Sequence, residues 1–153
     1  IPQNVSMARF LNNTYGQGMT ATPMQIAQAY AALINGEFLL QPTVVDAIRH
    51  PDGRVESQQR KILRRVFSEE TSIAMRDALF GVLELNEGLA TFVGENATGD
   101  KLGGKSGTSQ IAFRGRYQEG NGWTNGSFVG LVTVDDPQHL VVVQVRRPRT
   151  VQR

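Results

Sequence analysis

The sequence predicts an α+β fold, with an antiparallel sheet flanked by helices. Two observations lead to this prediction. Two segments, 22–36 and 68–85, show the apolar spacing of helices, and three strand-like segments follow one another at 105–113, 127–134 and 140–146. Strands and helices that occur in blocks, without strict alternation, are typical of α+β proteins. The 153 residues are enough for one domain with its own core.

The composition excludes several kinds of chemistry. The chain has no Cys, which excludes disulfides, cysteine nucleophiles and thiolate metal sites. Apolar residues make up 40% and charged residues 20%, as in an ordinary globular protein. No apolar run approaches the ~20 residues that a membrane-spanning helix requires.

The charge gives little indication of a partner. The formal net charge is +2, and Arg accounts for most of the basic residues. Four Arg lie near the C-terminus: Arg146, Arg147, Arg149 and Arg153. Such a tail can contact nucleic acid or a membrane surface. Because no aromatic residues are interleaved with it, a solvated end is the favoured interpretation, and no nucleic-acid partner is expected.

The first helix has clear start and stop signals. Thr22 is a good N-cap, Pro23 suits the first helical position, and Gln25 completes a capping box. Asn35-Gly36 ends the helix. Its buried face is predicted from apolar residues four apart, with small residues beside them: Ile26, Tyr30 and Ile34, with Ala27 and Ala31. Residues 1–21 before it are polar, and no element is predicted there.

Short strands are predicted between the two helices. Residues 38–49 are rich in Val, Leu and Ile, and Pro42 within them favours an edge strand. A turn at 50–53 and a return strand from Val55 follow, and 62–66 is a further short strand.

The second helix begins at Ser68, with Glu69 and Glu70 at the positive end of the helix dipole. It is predicted to end near Leu85, and a Gly-rich connection over 86–104 follows. Its apolar side chains are assigned to the core: Ile73, Met75, Leu79 and Val82.

The last three strands are predicted to be antiparallel neighbours. The connection at 135–139 contains Asp135-Asp136-Pro137, which favours a turn over a pair of acidic catalytic groups. The loop at 114–126 is polar and contains Trp123. That side chain either covers a neighbouring site or anchors its own loop.

A cation and several hydroxyls lie together on the first of these strands. The run is Gly103-Gly104-Lys105-Ser106-Gly107-Thr108-Ser109-Gln110. Its glycines let another chain approach the backbone closely, and an edge strand can pair with an extended peptide. Its N–H groups would stabilise an oxyanion, and the ammonium and hydroxyls would hold a carboxylate.

A phosphate-binding loop is the competing interpretation, because residues 99–106 match Gly-x-x-x-x-Gly-Lys-Ser letter for letter. That loop requires a strand before it and a helix after it. Residues 107–113 lack a helical pattern and no apolar strand precedes Gly99, so this interpretation is disfavoured. Lys-Ser-Gly-Thr alone is short enough to occur by chance.

Three stretches in order carry a family resemblance. Residues 104–110 resemble the Lys-[Thr/Ser]-Gly element of penicillin-binding proteins and serine β-lactamases. Residues 15–30, with Gly-Gln-Gly at 16–18 and Thr-Pro at 22–23, resemble a second segment of the family. Gly-Ser-Phe-Val-Gly at 126–130, followed by Asp-Asp-Pro, is similar to a hairpin of the class B enzymes, the cell-division and elongation transpeptidases. The resemblance covers nearly the whole chain and implies the C-terminal half of a transpeptidase domain.

The resemblance implies a substrate and a reaction. In this family an active-site Ser attacks the D-Ala-D-Ala carbonyl of a peptidoglycan stem peptide, and an amine on a neighbouring strand resolves the acyl-enzyme. β-Lactams mimic the dipeptide and trap the same acyl-enzyme. The expected ligands are therefore stem peptides and β-lactams.

The resemblance also implies roles on the strand. Lys105 would supply positive potential, the Ser106 and Thr108 hydroxyls would bind the substrate carboxylate, and the Thr108 N–H would be an oxyanion donor. Gly107 belongs to the substrate-binding element, and Gln110 would line the channel. Because side chains alternate along a strand, Lys105 faces away from Ser106 and Thr108, so all three serve one site only if it wraps the strand edge.

Two family motifs do not occur in the sequence. Neither Ser-x-x-Lys nor Ser-x-Asn is found in the 153 residues. Residues 1–153 are therefore interpreted as a single partial domain that also lacks the family's final helix. Its expected partner is the N-terminal half of the same domain, and the chain alone is expected not to acylate.

The implied parent is a membrane-anchored enzyme at the extracytoplasmic face of the bacterial plasma membrane, working with other cell-wall synthesis proteins. No cofactor is expected. No metal is expected either, since His50 and His139 lie in separate predicted turns. The alternative is a non-catalytic binding or scaffold domain derived from the same fold, which the missing Ser-x-x-Lys would favour in a separately encoded chain.

Overall fold

The computed structural model describes residues 6–14, 16, 18–85, 101–118, 120, 122–133 and 135–149. Within these residues the chain forms three helices: α1 (Met7–Thr14), α2 (Pro23–Ile34) and α3 (Glu69–Leu85). In this part of the chain, no helix combines the length and the apolar character needed to cross a membrane.

The strands form one three-stranded sheet and three two-stranded sheets, all antiparallel. The pairs are β1–β4, β2–β3 and β6–β7, and the sheet has the order β5-β8-β9. The bounds are β1 (Phe38–Leu40), β2 (Ala47–Arg49), β3 (Val55–Ser57), β4 (Ile62–Arg65), β5 (Leu102–Gln110), β6 (Ala112–Phe113), β7 (Arg116–Tyr117), β8 (Thr124–Val132) and β9 (His139–Arg146). The predicted α+β class and the antiparallel order of the last three long strands are confirmed.

A small core lies between the sheet and the two longer helices. Ile34 of α2, Leu79 of α3 and Leu131 of β8 are buried against one another. Partly buried side chains surround them: Tyr30, Leu33 and Leu140. Burial raises the pKa of the Tyr30 phenol above its ordinary value, because desolvation disfavours the phenolate. The core therefore holds the middle strand of the sheet against both helices.

The predicted caps of α2 are confirmed. The Thr22 hydroxyl accepts a hydrogen bond from the Gln25 N–H at 3.2 Å, and the Gln25 side chain accepts one from the Thr22 N–H at 2.8 Å. This exchange satisfies donors that the first helical turn leaves unpaired. At the other end, Asn35 is the C-cap and Gly36 takes a φ of 86°.

The buried face of α3 differs from the prediction. Leu79 and Leu83 are buried, but Ile73 and Met75 are 46% and 37% exposed. Ser72 is fully buried instead. The apolar residues Ile73 and Met75 thus lie on either side of the buried stripe and not within it.

The polar residues of α3 are explained by the end of α2. The Ser72 hydroxyl donates to the carbonyl of Leu33, and the Arg76 guanidinium donates to the carbonyl of Ile34 at 3.3 Å. Both carbonyls belong to the last turn of α2, where no intrahelical donor is available. Side chains of α3 therefore supply the missing donors and fix the two helices together.

The single strand predicted over 38–49 is wrong. The segment forms β1 and β2, which are separated by 41–46 and pair with different strands. Pro42 lies in the break, where its missing N–H costs no ladder hydrogen bond. The predicted strands from Val55 and over 62–66 are present as β3 and β4.

Three further details differ from the sequence prediction. Helix α1 was not predicted, although Met7, Phe10 and Leu11 have helical spacing. Strand β5 begins at Leu102 and stops at Gln110, so the predicted strand over 105–113 is shifted. The predicted loop over 114–126 contains β7, which pairs with β6, and the first residues of β8.

Candidate active-site strand

Strand β5 carries the predicted site residues at an edge of the sheet. Among the described residues it pairs only with β8, so its other side is free of a strand neighbour. The run continues as a strand after Lys105 and not as a helix. The helix that a phosphate-binding loop requires after Lys105-Ser106 is therefore absent from these described residues, and the phosphate-loop interpretation fails there. Gly99, where the pattern begins, lies outside the described residues.

The register of the sheet places the site side chains on two faces. Ser106 lies opposite Phe128, and Thr108 lies opposite Gly126. Lys105 lies opposite Val129, which is buried against the helix side of the sheet. Because alternate residues point to opposite faces, Ser106 and Thr108 share one face and Lys105 starts from the other. Gln110, the last residue of β5, belongs to the face of the two hydroxyls.

The Lys105 side chain folds back onto its own strand. Its Nζ donates to the carbonyl oxygen of Ser106 at 2.6 Å, and the side chain is exposed. In the described part of the chain, no carboxylate forms an ion pair with it. An exposed ammonium without a carboxylate partner therefore lies beside the backbone of Ser106. The Ser106 hydroxyl points to the opposite face of the sheet.

Two glycines set the distance between β5 and β8. A Cβ at Gly104 would lie 2.6 Å from Cζ of Phe128 and 2.7 Å from the carbonyl oxygen of Val129. A Cβ at Gly107 would lie 3.0 Å from Oγ of Ser127, which donates to the Gly107 carbonyl at 3.2 Å. Gly104 is thus required by packing inside the sheet, whereas the sequence had suggested only access for a second chain.

An aromatic and cationic group follows the end of β5. The Phe113 and Trp123 rings are 5.7 Å apart, and the Arg147 guanidinium lies 4.7 Å from the Trp123 ring centroid. The Ile111 N–H donates to the Trp123 carbonyl at 2.8 Å. Trp123 thus anchors its loop to the end of β5. The contact with Arg147 was not predicted. Trp123 precedes β8 and Arg147 follows β9, and no sequence pattern relates two residues that are so far apart in the chain.

The other residues singled out in the sequence have structural roles. Asp135 pairs with Lys101 at 2.9 Å, and the Asp136 carbonyl accepts from the Thr133 hydroxyl at 2.7 Å, as expected of a turn. His50 lies 3.3 Å from a Glu56 carboxylate oxygen in the β2–β3 hairpin. Across the described ranges, no group of three or more His, Asp and Glu residues could hold a metal ion.

The second resembling segment is described only in part. Tyr15 and Gln17 lie outside the described residues, whereas Gly16 and Gly18 have positive φ angles of 86° and 75°. A surface groove of about 630 Å³ lies elsewhere, between α2 and the segments 40–46 and 58–61. None of the five predicted site residues lines this groove.

Comparison with known proteins decides the family. The family model described as the penicillin binding protein transpeptidase domain matches residues 3–152. The chain belongs to this family. The resemblance that the three motifs indicated is therefore confirmed, and the match extends over nearly the whole sequence.

Curated relatives agree with this assignment. The chain is 36% identical over 137 residues to stage V sporulation protein D of Bacillus subtilis, covering 88% of this chain and 20% of that protein. It is 30% identical over 149 residues to a peptidoglycan D,D-transpeptidase FtsI homolog of Mesostigma viride, covering 88% and 24%. The chain thus spans about a fifth to a quarter of the length of these relatives.

Solved structures show the same fold. Penicillin binding protein 2X of Streptococcus thermophilus superposes with a TM-score of 0.83 at 22% identity, covering 97% of this chain and 23% of that one. Penicillin binding protein 3 of Mycobacterium tuberculosis gives a TM-score of 0.76 at 26% identity, covering 92% and 32%. The fold of this chain is therefore a part of the penicillin-binding transpeptidase fold.

Proposed function

We propose that this chain is part of a peptidoglycan D,D-transpeptidase that binds penicillin and cross-links stem peptides through a serine acyl-enzyme. The observation that carries the proposal is the edge of β5 that pairs with no strand among the described residues, with two hydroxyls and an ammonium that forms no ion pair in the same part of the chain, beside exposed backbone. Such an edge can pair with an extended peptide and hold its carboxylate. The names of the relatives agree with this substrate class.

Each residue of the strand has a proposed role. The Ser106 and Thr108 hydroxyls bind the terminal carboxylate of the substrate, and Lys105 supplies the positive potential that attracts it. The Thr108 N–H donates to the oxyanion that forms when the carbonyl is attacked. Gly107 keeps the strand open to the ligand, and Gln110 lines the channel beyond it.

The nucleophile is proposed to lie outside these residues. Since the sequence contains no Ser-x-x-Lys and no Ser-x-Asn, another segment of the same domain must complete the site. We therefore expect the N-terminal half of the domain as the direct partner. The site would operate at the extracytoplasmic face of the plasma membrane, together with other cell-wall synthesis proteins.

Labelling with fluorescent penicillin tests the proposal. We expect no covalent label on the 153-residue chain, because it lacks the nucleophile. A longer protein in which this sequence is joined to the segment with Ser-x-x-Lys should be labelled. In that protein, Lys105→Ala should lower the acylation rate by roughly a hundredfold, as is typical when an electrostatic group of an active site is lost.

Lys101→Ala is the matched control, since it removes a cation just before the same strand. Its rate should stay within about twofold of the unmodified protein, because an exposed ion pair such as that with Asp135 contributes little to stability. Labelling of the 153-residue chain alone would contradict the proposed division of the site. Equal rates for the Lys105→Ala and Lys101→Ala proteins would contradict the role of Lys105.

A further inference from the structure

The end of the sheet where β5 and β9 terminate is strongly basic. Five Arg lie in the described segments there: Arg114, Arg116, Arg146, Arg147 and Arg149. Among the described residues, none of them forms an ion pair with a carboxylate. At the opposite end of β5, Lys101 is neutralised by Asp135, and Asp136 follows it. The two ends of the candidate substrate strand therefore differ in charge.

Two of these guanidinium groups rest on aromatic rings. Arg147 Cζ lies 4.7 Å from the Trp123 centroid, and Arg114 Cζ lies 5.3 Å from the Phe113 centroid. The rings contact each other at a centroid distance of 5.7 Å. Cation–π stacking restrains a guanidinium through its flat face. Its N–H donors lie in the plane of the group, so they remain available to an anion.

The group is joined directly to the end of the substrate strand. Ile111, which follows the last residue of β5, donates its N–H to the Trp123 carbonyl at 2.8 Å. The Arg147 N–H donates to the Thr124 carbonyl at 3.0 Å. A peptide that lies along β5 and extends past Gln110 therefore runs toward the end of the sheet that carries these cations, with Arg114 in the β6–β7 turn just beyond β5 and with Trp123 and Arg147 on the β8 side of the strand.

We propose that Arg114, Phe113, Trp123 and Arg147, the Arg–aromatic cluster, form an anion-binding subsite for a carboxylate of the peptide that lies along β5. This inference rests on the proposed function, since it takes the ligand to be a peptide on that strand. The carboxylate is a second one, distinct from the terminal carboxylate at Ser106 and Thr108. Guanidinium binds carboxylates through paired N–H donors, and stacking lowers the entropy cost of holding it in place.

The charge difference along β5 also orients the ligand. A carboxylate-bearing portion is attracted to the end at Gln110 and gains nothing from the end at Lys101, where Asp135 and Asp136 lie. The peptide is therefore bound with its acidic residue toward the Arg–aromatic cluster.

Trp123 supplies the measurement, because it is the single Trp of the chain and belongs to the cluster. Two synthetic peptides that end in D-Ala-D-Ala and differ only by Glu or Gln upstream are titrated against the 153-residue chain, with Trp fluorescence as the readout. The Glu peptide should bind roughly tenfold more tightly than the Gln peptide, as is typical of a charge-assisted hydrogen bond. The preference should shrink as salt is added.

The doubly substituted chain Arg114→Gln/Arg147→Gln should bind both peptides equally, with the affinity for the Gln peptide unchanged. Arg54→Gln/Arg60→Gln is the control, since it also removes two positive charges, one in the β2–β3 turn and one after β3, and should keep the preference. Because all four positions are exposed, the substitutions should not disturb folding.

The outcomes separate the inference from the proposed function. Equal binding of both peptides to the unmodified chain, or a preference that survives in the double variant, overturns the subsite alone. Failure of both peptides to bind overturns the subsite, and the penicillin labelling of the longer protein then tests the proposed ligand class separately. A third arm uses inorganic polyphosphate. If polyphosphate binds through Arg114 and Arg147 while the Glu peptide shows no preference, the cluster binds a phosphate polymer and the carboxylate assignment is wrong.

Discussion

Gly104 shows how strongly one residue constrains the candidate site. The residue is buried, and its missing side chain leaves room for the ring of Phe128 and the carbonyl of Val129. The Val129 oxygen belongs to the backbone of the strand partner, so it cannot move without shifting the ladder. Lys105 follows directly in the chain, and a shift of β8 relative to β5 would change its position.

We expect Gly104→Ala to destabilise the chain by about 2 kcal/mol, the typical cost of overpacking a well-filled site. Urea denaturation followed by circular dichroism measures the change. Gly126→Ala is the control, because nothing lies within 4 Å of a Cβ built there. If both substitutions cost the same, the close contact with Phe128 and Val129 does not limit the strand spacing.

At this scale the sequence predicts some of the site and not the rest. Lys105, Ser106 and Thr108 could be proposed as site residues because their motif is contiguous and two other motifs occur in the right order. The contact of Trp123 with Arg147 could not, since it depends on the pairing of β8 with β9. Residues brought together only by strand pairing leave no local pattern in the chain.

Among the elements, α2 connects the core to the rest of the chain. It contacts β1 and β9, and its last carbonyls receive hydrogen bonds from side chains of α3. Its start depends on the exchange between Thr22 and Gln25. The beginning of the helix is thus set by local sequence and its end by tertiary contacts.

Removal of the Thr22 hydroxyl should therefore destabilise the whole chain. We expect Thr22→Ala to lower the free energy of unfolding by about 1 kcal/mol, because the Gln25 N–H in the first turn of α2 loses its acceptor. Thr22→Ser keeps the hydroxyl and should cost only a few tenths of that in the same urea titration. A Thr22→Ala chain as stable as the Thr22→Ser chain would show that the cap contributes nothing.

Features set by local sequence could be predicted, whereas features set by tertiary contacts could not. The capping box, the Asn35-Gly36 stop and the turn before Val55 are local signals, and each was read correctly. The buried Ser72 was not predicted, because its partner is the Leu33 carbonyl of another helix. The break at Pro42 was missed for a related reason, since β1 and β2 choose separate partners that the sequence does not reveal.

The molecule as a whole has a sheet with two unlike faces. One face packs on α2 and α3 through Leu131, and Val129 on the same face is also buried. On the other face, three side chains of β9 remain about half exposed: Val141, Val143 and Val145, at 51%, 50% and 53%. This face therefore presents a row of apolar side chains along β9. Adjacent apolar side chains on an edge strand favour association of protein chains.

We therefore expect the 153-residue chain to self-associate, and Val143→Lys to weaken that association. Val143 lies in the middle of the exposed row, opposite Phe128. Burial of a half-exposed Val contributes about 1 kcal/mol. In a symmetric dimer this contribution occurs twice, so the dissociation constant should rise roughly tenfold or more. Sedimentation velocity over a range of concentrations measures it.

Val44→Lys is the control for this experiment. Val44 is 92% exposed in the connection between β1 and β2, so the substitution adds the same charge away from the row of β9. Its dissociation constant should stay close to that of the unmodified chain, because a lone exposed Val offers no continuous apolar surface. If the two substitutions weaken association equally, added charge is the cause and the β9 face is not the contact. If the unmodified chain sediments as a monomer at every concentration, the apolar row does not drive association.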